Sequence, residues 1–189
     1  HLKALKAIET GEFADEIVPV EIVERFPNLA EGTQTVKTRT VSVDEGPRKD
    51  TSAEGLGKLK PVFAAKGSVT AGNSSQTSDG AGCLILASEK AVRQFGLTPM
   101  ARFVSFAIKG VPPEIMGIGP IEAIPAALKT AGLSADQLDW IELNEAFAAQ
   151  ALAVLTEWGM SDPGSWERLN VNGSGISLGH PVGATGGRI

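Results

Sequence analysis

The chain has 189 residues, of which 42% are hydrophobic and 21% are charged, a balance typical of a globular protein. Its net charge of -5 argues against a general nucleic-acid binder, and no apolar run approaches the roughly 20 residues that a membrane span requires. The single cysteine, Cys83, excludes an internal disulfide framework and fits a reducing compartment. With only two histidines beside it, a metal site is not expected.

The first third of the chain is predicted to contain a helix and two strands. Residues 1–10 are predicted to form a helix that ends at Gly11. Residues 16–23 and 36–43 have the β-branched composition of strands. Residues 44–66 are polar and glycine-rich, with a short helix expected after the Thr51–Glu54 capping-box pattern.

The rest of the chain alternates between strand and helix patterns. The predicted elements are a buried strand at 83–87, a helix from Ser88 to about Gly96, a strand at 102–108, a helix from Pro120 to Lys129, a short helical turn at Ser134, a strand at 140–143 and a helix from 144 to about 158. This alternation predicts an α/β fold with layered sheet and helices. A thiol in the apolar 83–87 strand would be inert, so Cys83 is not expected to be a nucleophile.

The segment from Gly173 to Gly187 has six glycines among fifteen residues, with His180 and Pro181 in the middle. Glycine raises the entropic cost of ordering both helices and strands, so we expect no regular helix or strand here. His180 is either a structural histidine in a tight loop or a general base, the usual role of histidine near neutral pH.

Two further polar segments have both an ordinary and a functional interpretation. Asn144 follows a predicted strand, where it either caps the next helix or orients a water or an oxyanion. The loop at 73–80 is either a simple turn or the polar lining of a site for an elongated ligand. The basic excess at 48–66 is either a solvated surface or, through Arg48, a contact to phosphate.

Four motifs, in order along essentially the whole chain, together resemble the thiolase family. They are Gly72-Asn-Ser-Ser-Gln-Thr-Ser-Asp-Gly-Ala81, Met116-Gly-Ile-Gly-Pro120, Asn144-Glu-Ala-Phe147 and Gly179-His-Pro-Val-Gly-Ala-Thr-Gly186. Residues 124–128 and 13–20 look more like 3-ketoacyl-CoA thiolases than biosynthetic acetoacetyl-CoA thiolases.

The resemblance implies an acyltransferase of lipid metabolism (fatty acid β-oxidation) that cleaves a 3-ketoacyl-CoA with CoA through a cysteine acyl-enzyme. Coenzyme A would be a co-substrate, with no covalently bound cofactor and no metal. His180 would activate the nucleophile and help to form an oxyanion hole, and Asn144 would hold a water that completes it. The implied substrate contacts are Arg48 at the nucleotide end of CoA, Ala71 and Ser75 along pantetheine, Met116 and Phe147 at the acyl pocket wall, and Ala146 beside them.

The resemblance also indicates what this chain does not carry. Both ends look cut, and the family's two catalytic cysteines would lie before residue 1 and beyond Ile189, so the fragment alone is expected to be inactive. Gly173-Ser-Gly175 replaces the family's more common Gly-Gly. The span from Asn144 to His180 is longer than usual, with the extra length expected on the surface at 158–168.

The implied fold is a partial, layered α/β/α/β/α thiolase fold. Residues 1–77 would be the latter part of a CoA-binding loop domain, 78–99 the end of the N-terminal core domain, and 100–189 the start of the C-terminal core domain. The parent would be a homodimer or homotetramer in the cytoplasm or an organelle matrix, binding CoA and acyl-CoA thioesters. Alternatives are a biosynthetic thiolase, a non-catalytic thiolase-like lipid-binding protein, a decarboxylating condensing enzyme and a phosphate-binding domain; the last two lack their expected motifs.

Overall fold

The computed structural model describes residues 1–189 as seven α-helices, three short 3-10 helices and one two-stranded sheet. The elements are α1 (Leu2–Thr10), β1 (Val20–Asn28), β2 (Thr33–Val41), α2 (Ala53–Gly57), α3 (Glu89–Phe95), α4 (Gly119–Ala131), α5 (Ala148–Glu157), α6 (Gly175–Leu178) and α7 (Thr185–Arg188), with 3-10 helices at Pro113–Ile118, Ala135–Gln137 and Pro163–Trp166. None of the helices has the length and apolar character needed to cross a bilayer.

The two strands form an antiparallel hairpin whose register runs from Val20 opposite Val41 to Asn28 opposite Thr33. Both predicted strands are present, but β1 begins and ends later than the prediction of 16–23. The turn explains the shift, because Gly32 adopts a left-handed φ of 61° and allows the chain to reverse directly after Asn28. Strand ends depend on where the partner strand starts, which composition alone does not reveal.

A small core lies between α4, α5 and the segments that precede and follow α5. Its buried side chains are Ile141, Leu143, Ala151, Val154, Leu155, Met160 and Leu169. Ile141 and Leu169 form a parallel bridge at the centre of this cluster. Residues 161–164 are exposed, as predicted for this part of the chain, whereas Met160 belongs to the core.

Helix α1 docks beside this core. Ala4 and Ala7 are buried, and the Lys3 ammonium donates a hydrogen bond of 2.6 Å to the Leu169 carbonyl oxygen. A Cβ on Gly173 would come within 2.8 Å of the Ala4 side chain, so this glycine permits close approach of α1. The N-terminal helix therefore supports the start of the glycine-rich segment.

The predicted caps are largely confirmed. The Ser88 hydroxyl accepts a hydrogen bond from the Ala91 amide at the start of α3, and Gly96 ends the helix with a left-handed φ of 61°. Helix α2 is capped by Ser52 instead of the predicted Thr51, since the Ser52 hydroxyl accepts from the Gly55 amide at 3.0 Å.

The predicted strands at 83–87 and 102–108 are absent, and 140–143 makes only the single bridge at Ile141. No strand lies alongside these segments, and an extended chain becomes a strand only by hydrogen bonding to a neighbour. The prediction that 83–87 is buried is wrong for this structure, because Ile85 is 90% exposed and Cys83 is also exposed. Burial therefore does not explain why Cys83 would be inert.

Two predictions near the polar segments are also wrong. Helix α5 begins at Ala148, with Phe147 as its N-cap, because Phe147 has an extended backbone (φ -140°, ψ 142°) and forms a bridge with Ser74. The glycine-rich segment contains two single-turn helices, α6 and α7, where no helix was expected. In α6 the Ser174 and Ser177 side chains form a capping box, which offsets part of the glycine cost.

Candidate active site

His180 lies half-buried between α6 and α7, and its ring is oriented by Thr185. The His180 Nδ1 atom is 2.7 Å from the Thr185 hydroxyl oxygen, which is also 3.1 Å from the Pro181 carbonyl oxygen. A carbonyl only accepts, so a threonine hydroxyl that donates to Pro181 accepts from Nδ1–H of His180. In that tautomer Nε2 carries no proton and is the atom that can act as a base.

The polar loop at 73–80 packs against the residues on both sides of His180. Gly179 has a φ of 87°, and a Cβ there would lie 2.5 Å from the Ser78 hydroxyl oxygen. A Cβ on Gly80 would lie 2.7 Å from the Pro181 ring. Position 179 requires glycine because of its left-handed backbone and because a side chain there would collide with Ser78. Gly179 and Gly80 together allow the polar loop and the histidine segment to approach each other beside His180.

Gln76 joins three segments of the site. Its side-chain amide nitrogen donates to the Ser177 carbonyl oxygen at 3.0 Å and to the Gly46 carbonyl oxygen at 3.1 Å. The segment that carries Arg48 is thereby held against the helical turn that precedes His180. Sequence reasoning assigned no role to Gln76 or to Thr185, although both lie inside motifs that it singled out.

Asn144 does not cap a helix, since α5 begins at Ala148 and is capped by Phe147. Its side-chain oxygen is buried and has no hydrogen-bond partner. A buried polar atom without a partner is uncommon, because leaving it unpaired costs about 1–3 kcal/mol. The ordinary interpretation of Asn144 as an N-cap is wrong, and an unpaired amide in this position is available to a ligand or a water.

The Asn144 side chain lies against Gly175 at the start of α6. A Cβ at Gly175 would be 2.7 Å from the Asn144 side-chain oxygen and 3.0 Å from the Glu145 carbonyl oxygen. Gly175 is therefore the contact through which the segment leading to His180 meets Asn144.

Replacing Gly175 with alanine in the complete protein should displace the Asn144 amide and lower kcat by about 100-fold, the typical cost of misplacing a reacting group by about 1 Å. Steady-state kinetics and a crystal structure of the variant check this. Gly186→Ala is the matched control, because Gly186 has open space around it and lies in α7. A Gly175→Ala enzyme with unchanged kcat would contradict the close packing.

Three of the predicted substrate contacts, Ser75, Ala146 and Phe147, come together where the polar loop at 73–80 meets the segment that follows Asn144. The Ser75 amide donates to the Ala146 carbonyl oxygen at 2.9 Å, and the Ala148 amide donates to the Asn73 carbonyl oxygen at 2.9 Å. Ser74 and Phe147 form an antiparallel bridge between these bonds. The polar loop thus runs beside Asn144 as well as beside His180.

The other three predicted contacts lie around this centre. Met116 is 77% exposed in the 3-10 helix whose Gly117 abuts Gln150 of α5, one turn beyond Phe147. Ala71 is exposed next to Gly72, which abuts Leu56 at α2.

Arg48 is exposed and forms an ion pair of 3.2 Å with Asp50. The side-chain hydrogen bond from Arg48, aided by its charge, holds the pKa of the Asp50 carboxyl below its usual value. This pair lies at the surface, where a phosphate can compete with the carboxylate for the guanidinium.

Comparison with known proteins gives the same assignment over nearly the entire chain. Residues 1–90 match the family model described as "Thiolase, N-terminal domain", and residues 97–189 match "Thiolase, C-terminal domain". The 3-ketoacyl-CoA thiolase of Bacillus subtilis is 49% identical over 190 aligned positions, covering 100% of this chain and 47% of that protein. The chain therefore spans less than half the length of this relative.

Solved structures of thiolases match the fold of this chain as well. A crystal structure of the Bacillus anthracis acetyl-CoA acetyltransferase has a TM-score of 0.85 and 48% identity, covering 100% of this chain and 44% of that one. Human mitochondrial 3-ketoacyl-CoA thiolase in complex with CoA has a TM-score of 0.78 and 42% identity, covering 98% of this chain and 42% of that one. These matches confirm a partial thiolase fold, and the chain belongs to the thiolase family.

Proposed function

We propose that the complete protein that carries this chain is an acyltransferase that cleaves a 3-ketoacyl-CoA with CoA into acetyl-CoA and a shortened acyl-CoA. One arrangement carries the proposal: Thr185 holds the His180 ring through Nδ1, and the segment that carries His180 contacts the buried side-chain oxygen of Asn144. A base and an unpaired amide held by one segment suit a reaction that creates first a thiolate and then an oxyanion.

In the proposed reaction, a cysteine supplied by a part of the parent outside this chain gives its proton to Nε2 of His180. The thiolate attacks the 3-keto carbon, and the bond between that carbon and the acetyl-CoA portion breaks. The parent's second cysteine, which also lies outside this chain, would give its proton to the departing enolate to make acetyl-CoA and would then take the proton of the incoming CoA thiol. The CoA thiolate attacks the acyl-enzyme and releases the shortened acyl-CoA, and the nucleophilic cysteine takes its proton back from His180.

Asn144 would stabilise the enolate oxygen through a water held by its amide. The buried side-chain oxygen without a partner supports this role, because a bound water would satisfy it and present a proton to the oxyanion. His180, once protonated, would supply a second donor to the same oxygen.

The six remaining positions would bind the substrate. The pairing of Ser75 with Ala146 supports a pantetheine contact there, because it places an extended polar backbone next to Asn144. Phe147 and Met116, both exposed near the start of α5, would form the acyl pocket wall. Ala71 would border the pantetheine arm, and Arg48 would contact the nucleotide end of CoA.

Replacing Arg48 with alanine in the complete protein should raise the KM for CoA about threefold to tenfold and change kcat little, since an exposed ion pair with phosphate is a modest interaction. The Asp50 carboxylate, now paired with Arg48, competes for the guanidinium and limits the effect. Initial rates at varied CoA concentration measure it, with Lys49→Ala as the control. A fall in kcat larger than the rise in KM would place Arg48 elsewhere in the mechanism.

We further propose the domain division 1–77, 78–99 and 100–189. The gap between the two family models, at residues 91–96, lies close to the last of these boundaries. We expect the parent to be a homodimer or homotetramer, as the resemblance implies. A cytoplasmic or organelle-matrix location agrees with the single free cysteine, since such compartments are reducing.

A biosynthetic, acetoacetyl-CoA-forming thiolase is the second candidate, favoured by the match to the B. anthracis acetyl-CoA acetyltransferase. The test is an assay of the complete protein with CoA and a series of 3-ketoacyl-CoA substrates of increasing length, measuring acetyl-CoA release. Cleavage along the series supports the first function, and cleavage of acetoacetyl-CoA alone supports the second. Binding of acyl-CoA without any cleavage would indicate a non-catalytic thiolase-like protein.

A further inference from the structure

We propose that Asn170 is a positioning residue that fixes the Asn144 amide by binding the backbone on its N-terminal side. Asn170 is the one residue other than glycine with a left-handed backbone, at a φ of 44°, and it is 3% exposed. A buried residue held in this conformation indicates that its surroundings require it. The proposal rests on the function proposed for Asn144.

The Asn170 side chain takes the place of a neighbouring strand. Its oxygen accepts from the Leu143 amide at 2.8 Å, and its nitrogen donates to the Leu143 carbonyl oxygen at 2.8 Å. The parallel backbone pairing between Ile141 and Leu169 ends where the chain turns at the left-handed Asn170. The side-chain amide of Asn170 then binds Leu143 in place of the next backbone pair. The orientation of this amide is fixed, because an N–H only donates and a C=O only accepts.

The Ser174 side chain binds the backbone of the residues on both sides of Asn144. Its hydroxyl donates to the Leu143 carbonyl oxygen at 3.2 Å and accepts from the Glu145 amide at 3.3 Å. One hydroxyl proton and one acceptor serve both bonds, and the two lone pairs of the Leu143 carbonyl accommodate both donors. Both peptide units that flank Asn144 are thus fixed by side chains from the loop at 170–174.

This arrangement has a direct consequence for the geometry of the site. Asn144 lies in neither a regular strand nor a helix, so no backbone ladder determines where its amide points. The loop that fixes it leads through α6 into His180. Asn170 therefore fixes the position of the Asn144 amide relative to His180 and would not contact the substrate itself.

The test compares Asn170→Gly in the complete protein with the same change in an Asn144→Ala background. Glycine adopts the left-handed φ without strain and removes only the amide. We expect Asn170→Gly to lower kcat by about 10- to 100-fold with little change in the KM for CoA, and to have almost no further effect once Asn144 is gone. An equal loss in both backgrounds, or no loss in either, would overturn the proposal.

Hydrogen exchange provides a readout that does not depend on turnover. In Asn170→Gly the Leu143 amide loses its acceptor, and we expect its exchange to become about tenfold faster, whereas Asn172→Asp should leave it unchanged. Asn172 lies in the same loop and makes no side-chain hydrogen bond. Unchanged exchange at Leu143 would overturn the positioning role, while faster exchange in a protein without thiolase activity would overturn only the proposed function.

Discussion

The complete protein with alanine in place of His180 should lose about 10²- to 10⁴-fold in kcat for thiolysis while the KM for CoA stays close to that of the unaltered enzyme. The imidazole is the proposed base for the nucleophilic thiol, and it donates to the oxyanion after it is protonated. CoA would be held mainly by the polar loop and by Arg48, neither of which depends on the ring for its position. Steady-state kinetics with a 3-ketoacyl-CoA, together with direct measurement of CoA binding, test both parts of this prediction.

Two substitutions at Thr185 test whether its hydroxyl orients the His180 ring. The valine variant keeps the shape of the side chain but removes the acceptor for Nδ1–H of His180, so a fraction of the rings would carry the proton on Nε2 instead. We expect a loss of about tenfold in kcat, consistent with the removal of one hydrogen bond, and recovery with Thr185→Ser. Near-normal turnover by the His180→Ala enzyme would remove His180 from the mechanism, whatever the Thr185 variants show.

The chemical motifs were predictable because each one is local. The glycine-rich segment, the position of His180 before a proline and the Asn144 motif can all be recognised within a few consecutive residues. Helix caps behave in the same way: Ser88 and Gly96 bound α3 where the sequence indicates, because a cap needs only the adjacent turn. Recognition of the thiolase pattern required no more than the order of such segments.

The parts that sequence reasoning missed depend on distant partners. Phe147 belongs to a segment with the composition of a helix start, but it lies extended because Asn73 and Ser75 bind the backbone of Ala148 and Ala146 on either side of it. Residues 83–87 have the composition of a buried strand, and no neighbouring strand is present among residues 1–189. The left-handed conformation of Asn170 likewise follows from its contact with Leu143, 27 residues earlier in the chain.

Alanine at position 144 should lower activity without lowering stability. We expect kcat to fall by about 10²- to 10³-fold, the usual cost of removing one oxyanion-hole donor. The Tm should change little, because the buried side-chain oxygen of Asn144 has no hydrogen-bond partner within residues 1–189 and its removal breaks no bond there. Kinetic assays and thermal unfolding of the same preparation measure the two quantities.

The aspartate variant separates the chemistry of Asn144 from its shape. Asn144→Asp fills the same space beside Gly175 and keeps an acceptor oxygen, but its charged form places a negative charge beside the developing enolate. If Asn144 acts by orienting a water towards the enolate oxygen, Asn144→Asp should lose nearly as much kcat as Asn144→Ala, because the added charge opposes the oxyanion. If Asn144 only fills space, the aspartate enzyme should keep most of its kcat, and Asn144→Ala should lower Tm as well as activity. A residue kept for packing would show the second pattern, whereas an unsatisfied amide kept for catalysis should show the first.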